Sequence, residues 1–212
     1  MVAATISFLV AQGFNLRARK LPIRGGGPRF VGVVLAGGMA ALLCTGCVSA
    51  QKFKMREVAP GLFEGCKPVT AAQFEQLRAR GIRTILSVQG LSWDIRPEAR
   101  RAREHGLLYV DVPILASPFP PAEDKVKEAL LILSDSSLRP IYFHCLMGED
   151  RTTMLIGLYR MYYEDWTPEA AWEEMIRTGF HVRLSLLGFK TYFWHHTQKP
   201  DWVKPVGPPG MK

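Results

Sequence analysis

Along the middle of the chain, short runs rich in β-branched and aromatic residues alternate with segments whose apolar positions recur every three or four residues. Thr84-Ile85-Leu86-Ser87-Val88, Leu107 to Val112 and Pro140 to His144 read as strands. Between the first helix and the strands the punctuation is chemical: Thr70 and Gln73 form a capping box that opens a helix stopping near Gly81. Val126, Ala129, Leu130 and Leu133 share one helical face ahead of the strand at 140. Met154 to Tyr162 is apolar nearly all round apart from Arg160, which predicts a helix sunk in the core. Thr167-Pro168 opens a further helix, with Thr as cap and Pro at its first position. The alternation predicts an α/β fold: a central, mostly parallel sheet with helices on both faces, in three layers.

The chain has 212 residues, 48% of them apolar, which suits one domain with its own core. That domain is placed at 55–198, after a segment 1–46 and a linker 47–54. The tail 199–212, with four prolines and two glycines, is expected to be disordered. A net charge of +8 invites a nucleic-acid reading until it is divided along the chain. Arg17, Arg19, Lys20, Arg24 and Arg29 stand before residue 46 with no acidic partner, leaving only +3 for the rest. No basic stripe with interleaved aromatics appears there, so nucleic acid is not an expected partner.

The basic stretch ends at Arg29 and precedes an apolar run, Phe30 to Gly46, followed directly by Cys47. Leu43-Cys44-Thr45-Gly46-Cys47 resembles a bacterial lipobox, with Cys44 where leucine is usual, and implies lipidation at Cys47. The alternative is a single uncleaved amino-terminal anchor, for which the run is somewhat short. With the cations ahead of the run, both readings put the residues after 47 outside the cytoplasm. The expectation is a periplasm-facing lipoprotein of the cell envelope, in contact with a lipid membrane through its amino terminus. Cys66 and Cys145 are then the only cysteines of the domain, too few for a disulfide scaffold.

His144-Cys145-Leu146-Met147-Gly148-Glu149-Asp150-Arg151-Thr152 lies between a predicted strand and a predicted helix. A loop in that place aims main-chain N–H groups and the positive end of a helix at one point, where an anion fits. A cysteine at its mouth is a thiolate nucleophile in waiting. Gly148 lets the backbone curl round an oxyanion, and the planar fork of Arg151 suits two phosphoryl oxygens. Thr152 is a candidate hydroxyl donor to the sulfur. His144 either orients the loop by bonding to main-chain carbonyls or is a satisfied histidine at a strand end.

The segment resembles the signature loop of protein tyrosine and dual-specificity phosphatases: His-Cys, five residues, Arg-Thr. Ala59-Pro60-Gly61-Leu62-Phe63-Glu64-Gly65, Tyr159-Arg160-Met161, Trp166-Thr167-Pro168-Glu169-Ala170 and Glu174-Met175 are similar to the bacterial dual-specificity-like branch, so the likeness spans about residues 57 to 180. The resemblance implies the phosphatase fold, a phosphocysteine intermediate on Cys145 and no metal or other cofactor. It implies a loop of Leu146, Met147, Gly148, Glu149 and Thr152 around the substrate, which is a phosphorylated protein or a small phosphate ester. A monomer is expected.

Two departures from the family stand out. The stretch Ile114 to Pro121, where an aspartate general acid is usual, has none, and Thr153 stands where glycine is common. Asp150 is the expected acid, with Glu123 and Asp124 as alternatives and bracing of Arg151 or a loop amide as its plainer role. Asp111, within a strand, reads as structural. Cys66 is either a reversible disulfide partner for Cys145 or an isolated thiol. His181, His195 and His196 lack ligand spacing and read as surface residues, while Trp166, Trp172, Trp194 and Trp202 are expected to pack the carboxyl-terminal helices. Two rival readings remain: a rhodanese-like sulfurtransferase, which also cradles an anion beside a cysteine, and a catalytically weak phospho-binding envelope protein.

Overall fold

The computed structural model describes residues 53–90 and 95–204. In chain order the elements are β1 (Met55–Ala59), β2 (Leu62–Gly65), α1 (Ala71–Ala79), β3 (Thr84–Gln89), α2 (Arg96–Glu104), β4 (Leu108–Ile114), α3 (Glu123–Ser134), β5 (Ile141–His144), α4 (Asp150–Tyr163), α5 (Pro168–Thr178) and α6 (Leu187–His195). The five strands form one sheet in the order β1-β2-β5-β3-β4. Only the β1/β2 hairpin is antiparallel; β2, β5, β3 and β4 run parallel, as the strand-helix alternation requires.

Period-two alternation sends neighbouring residues to opposite faces. Phe63, Ile85 and Tyr142 meet Phe74 and Leu77 of α1 and Ala102 of α2 in one core. Leu62, Leu86 and Phe143 meet α3, α4 and the helices behind them in the other, through Val126, Leu130, Leu155, Met175 and Phe193. The first face is apolar only over its lower half. Towards the carboxyl ends of the strands it turns polar, with Ser87, Gln89, Asp111 and His144 replacing the hydrocarbon.

Local signals place the helices where the sequence puts them. Thr70 and Gln73 form the reciprocal capping box of α1, and Thr167 caps α5 with Pro168 at its start. Helix α4 is buried from Thr152 to Tyr162, because the sheet covers one side and α3, α5 and α6 cover the others. Its one internal charge, Arg160, is met by Glu174 at 2.8 Å and Glu164 at 2.5 Å and lies over the Trp166 ring.

The tail differs from expectation in part. Lys199 pairs with Asp165 at 2.7 Å and Trp202 packs edge-on to Tyr162, so the chain stays docked on the domain up to residue 204. Trp172 packs on Phe180, Phe193 and Trp194, as expected of the carboxyl-terminal aromatics. The signal segment, the lipobox with Cys47 and residues 205–212 lie outside the described residues. Among the described residues no helix is long and apolar enough to cross a membrane.

Candidate active site

Strand β5 is the middle strand, so the chain leaving it at His144 emerges between Gly65 of β2 and Ser87 of β3. The turn that follows enters α4 at Asp150. Glu149, at the cap position, makes no side-chain cap bond. Among the described residues, the main-chain N–H groups of Leu146, Gly148, Glu149, Asp150 and Arg151 have no protein acceptor. Unmet donors at a helix start form a place for an anion. The tight path depends on Gly148, whose φ is +69° and where a Cβ would overlap the main chain of Gly65 and Cys66.

Cys145 is buried, at 2% exposure, and carries a free thiol. It points to the α4 side of the sheet, opposite His144, as successive residues must. Arg151 rises from the first turn of α4 and donates its Nε–H to the Ile114 carbonyl at 2.7 Å. Its guanidinium passes Gly90, where a Cβ would stand 3.3 Å from Nη2. The side chain therefore crosses the carboxyl ends of β3 and β4, and among the described residues neither terminal nitrogen has a protein acceptor.

Three expected loop residues are engaged elsewhere. Asp150 accepts from the His181 N–H at 2.8 Å, with the His181 ring nitrogen 3.2 Å away. Its carboxylate contacts the segment after α5. Glu149 faces the same side and pairs with Lys54 at 3.4 Å. The Thr152 hydroxyl donates to the Glu149 carbonyl at 2.9 Å, inside the first helical turn. Leu146 and Met147 are exposed on the loop surface. Glu123 and Asp124 are exposed in the first turn of α3, where acidic residues favour the helix dipole.

His144 is fully buried and both of its ring nitrogens face oxygen. Nδ1 lies 2.9 Å from the Cys145 carbonyl and Nε2 lies 2.6 Å from Glu98, the latter as an ion-pair contact off the hydrogen-bond direction. Lys67 completes the pair with a 3.2 Å contact to the other Glu98 oxygen. Burial alone would raise the Glu98 carboxyl, but His144 and then Lys67 hold it below the ordinary glutamate value. Asp111 sits in the same polar pocket with Ser87, and there burial wins and raises its carboxyl.

Sequence reasoning missed Glu98 because α2 reads as a string of charges, Arg-Pro-Glu-Ala-Arg-Arg-Ala-Arg-Glu. The available signal was Glu98 four residues before Ala102, the two buried positions of that helix. Cys66 follows β2 beside Gly148, and its carbonyl accepts the Tyr142 hydroxyl at 2.5 Å. It too is a free, buried thiol.

Residues 48–182, more than half of the chain, match the family model described as "DSP-PTPase phosphatase fused to NAD+ Kinase". The chain belongs to this family. It is a cysteine-dependent phosphatase by membership, and its sheet and helices have the phosphatase fold. The catalytic core of the PP-IP phosphatase Siw14 from S. cerevisiae is 20% identical, with a TM-score of 0.56 over 65% of this chain and 84% of that one. TpbA of P. aeruginosa is also 20% identical, with a TM-score of 0.54 over 66% of this chain and 83% of that one. A putative phosphatase of Shewanella putrefaciens CN-32 is 17% identical, with a TM-score of 0.52 over 66% and 89%. No curated protein sequence matches this phosphatase.

Proposed function

We propose that the protein hydrolyses phosphomonoesters with Cys145 as nucleophile and Arg151 as the phosphoryl clamp. One observation supports the reading: a buried cysteine, loop N–H groups without a protein acceptor and a guanidinium held at Nε by Ile114 all lie at the carboxyl edge of the sheet. In the first step the Cys145 thiolate attacks phosphorus, the S–P bond forms and the ester P–O bond breaks. In the second, water attacks phosphorus, loses its proton to solvent and displaces the thiolate, releasing inorganic phosphate. The loop donors and Arg151 meet the charge on the non-bridging oxygens throughout.

With Asp150 bound to His181, the departing oxygen takes its proton from water, with Glu123 and Asp124 as the alternative donors. Leaving groups that need little protonation are then favoured, aryl over alkyl. Leu146 and Met147 on the signature loop, and Leu115 and Phe119 on the segment continuing from Ile114, are exposed apolar side chains. They suit an aromatic phosphomonoester, either phosphotyrosine in a protein or a small aryl ester. A cysteine-to-serine form of TpbA was solved with pTyr.

Turnover of p-nitrophenyl phosphate, lost in Cys145→Ser with tungstate binding retained, is the expected result. Hydrolysis surviving that substitution would overturn the reading. Tungstate binding without any turnover would favour the phospho-binding alternative, and thiosulfate-to-cyanide transfer the sulfurtransferase. The amino-terminal sequence supports lipid attachment at Cys47 and a place in the cell envelope, tested by palmitate labelling that Cys47→Ala abolishes.

A further inference from the structure

We propose that Glu98, braced by Lys67, is a positioning residue that acts on the phosphate cradle through His144. The inference rests on the proposed role of the loop around Cys145. Four contacts close a circuit beneath that loop. The Lys67 N–H donates to the Leu146 carbonyl at 3.2 Å, and the Lys67 ammonium meets one oxygen of Glu98 at 3.2 Å. The other Glu98 oxygen meets His144 Nε2 at 2.6 Å, and His144 Nδ1 donates to the Cys145 carbonyl at 2.9 Å.

The circuit thus holds two successive carbonyls of the loop, those of Cys145 and Leu146. In a trans peptide the C=O and the following N–H point in opposite directions. Fixing the Cys145 and Leu146 carbonyls towards His144 and Lys67 therefore turns the N–H groups of Leu146 and Met147 the other way. The orientation of the Leu146 N–H, one of the loop donors without a protein acceptor, is thus set from helix α2.

The chemistry of the circuit fits that task better than simple packing does. Glu98 and His144 are 4% and 0% exposed, where an unpaired charge is expensive. A carboxylate between an ammonium and an imidazole, in the first turn of α2, is held by both partners and by the helix dipole. Both ring nitrogens of His144 are engaged, Nδ1 by a main-chain carbonyl and Nε2 by the Glu98 carboxylate, so the ring has little freedom to turn. A neutral amide in place of Glu98 keeps the volume and removes the charge that holds the ring.

The test is a double-mutant cycle on the full chain, read by tungstate affinity in titration calorimetry and by kcat/KM on p-nitrophenyl phosphate. Glu98→Gln is expected to weaken tungstate about tenfold and to lower kcat/KM about 10- to 100-fold, since small misplacements in a site carry costs of that order. In the His144→Asn background the same substitution is expected to change either quantity less than about twofold, because its target is gone. An unchanged tungstate affinity in Glu98→Gln, or equal losses in both backgrounds, overturns the proposal. Should Glu98→Gln fail to fold, Lys67→Met, at a partly exposed position, carries the same cycle with the same two outcomes. Wild-type protein that binds tungstate but hydrolyses nothing would remove the proposed function, and the positioning role would still be decided by the affinities.

Discussion

Arg151 Nε lies 2.7 Å from the Ile114 carbonyl and so ties the first turn of α4 to the last residue of β4. The bond fixes the plane of the guanidinium, and in the proposed reaction its outer nitrogens hold the phosphoryl group. Arg151→Lys keeps the charge but has one nitrogen for both tasks. Its kcat/KM on an aryl phosphate is expected to fall about 10²- to 10³-fold, the order seen when one transition-state donor is lost. Steady-state kinetics with an unchanged melting temperature would establish this.

Gly90 is the floor beneath that side chain. A Cβ there would come 2.9 Å from the Ile114 carbonyl and 3.3 Å from Arg151 Nη2. Gly90→Val is therefore expected to push the guanidinium aside and raise KM and the tungstate Kd together. An unchanged Kd would mean that Arg151 reaches its position independently of β3.

Asp150 offers a clean test of the acid. If its carboxylate serves His181, Asp150→Asn should leave the dependence of kcat on leaving-group pKa unchanged across a series of aryl phosphates. A steeper dependence in the variant would return the general-acid role to Asp150.

Opposite pKa directions at Glu98 and Asp111 predict opposite responses to acid. Glu98 is depressed, so its contribution is present above the unfolded value of about 4.3 and is lost as pH falls through the folded value. Asp111 is raised by burial, so its ionisation opposes folding once pH climbs above about 3.9 and through the folded value. Glu98→Gln should therefore melt lower than wild type at pH 7, and Asp111→Asn higher. Both differences should shrink in melts taken below about pH 4.

Much of the scaffold was legible from local signals. The capping box at Thr70, the Thr167-Pro168 start and the apolar circumference of α4 each fix an element without reference to the rest of the fold. The strand-loop-helix around Cys145 was legible for the same reason. The circuit through Glu98 and Lys67 was not, because it joins residues far apart in sequence and its carboxylate hides in a helix of surface-like charges. Asp150 was ambiguous because only tertiary structure says that His181 stands opposite it.

The sheet face under α1 and α2 changes character between Ile85 and Ser87, one pleat apart. Substitutions on either side of that border should be felt differently: those nearer the strand starts as loss of folded protein, those nearer the strand ends as altered activity in a protein that still accumulates. A mutational survey would read the boundary directly, and an engineer could harden the lower tier without disturbing the upper one.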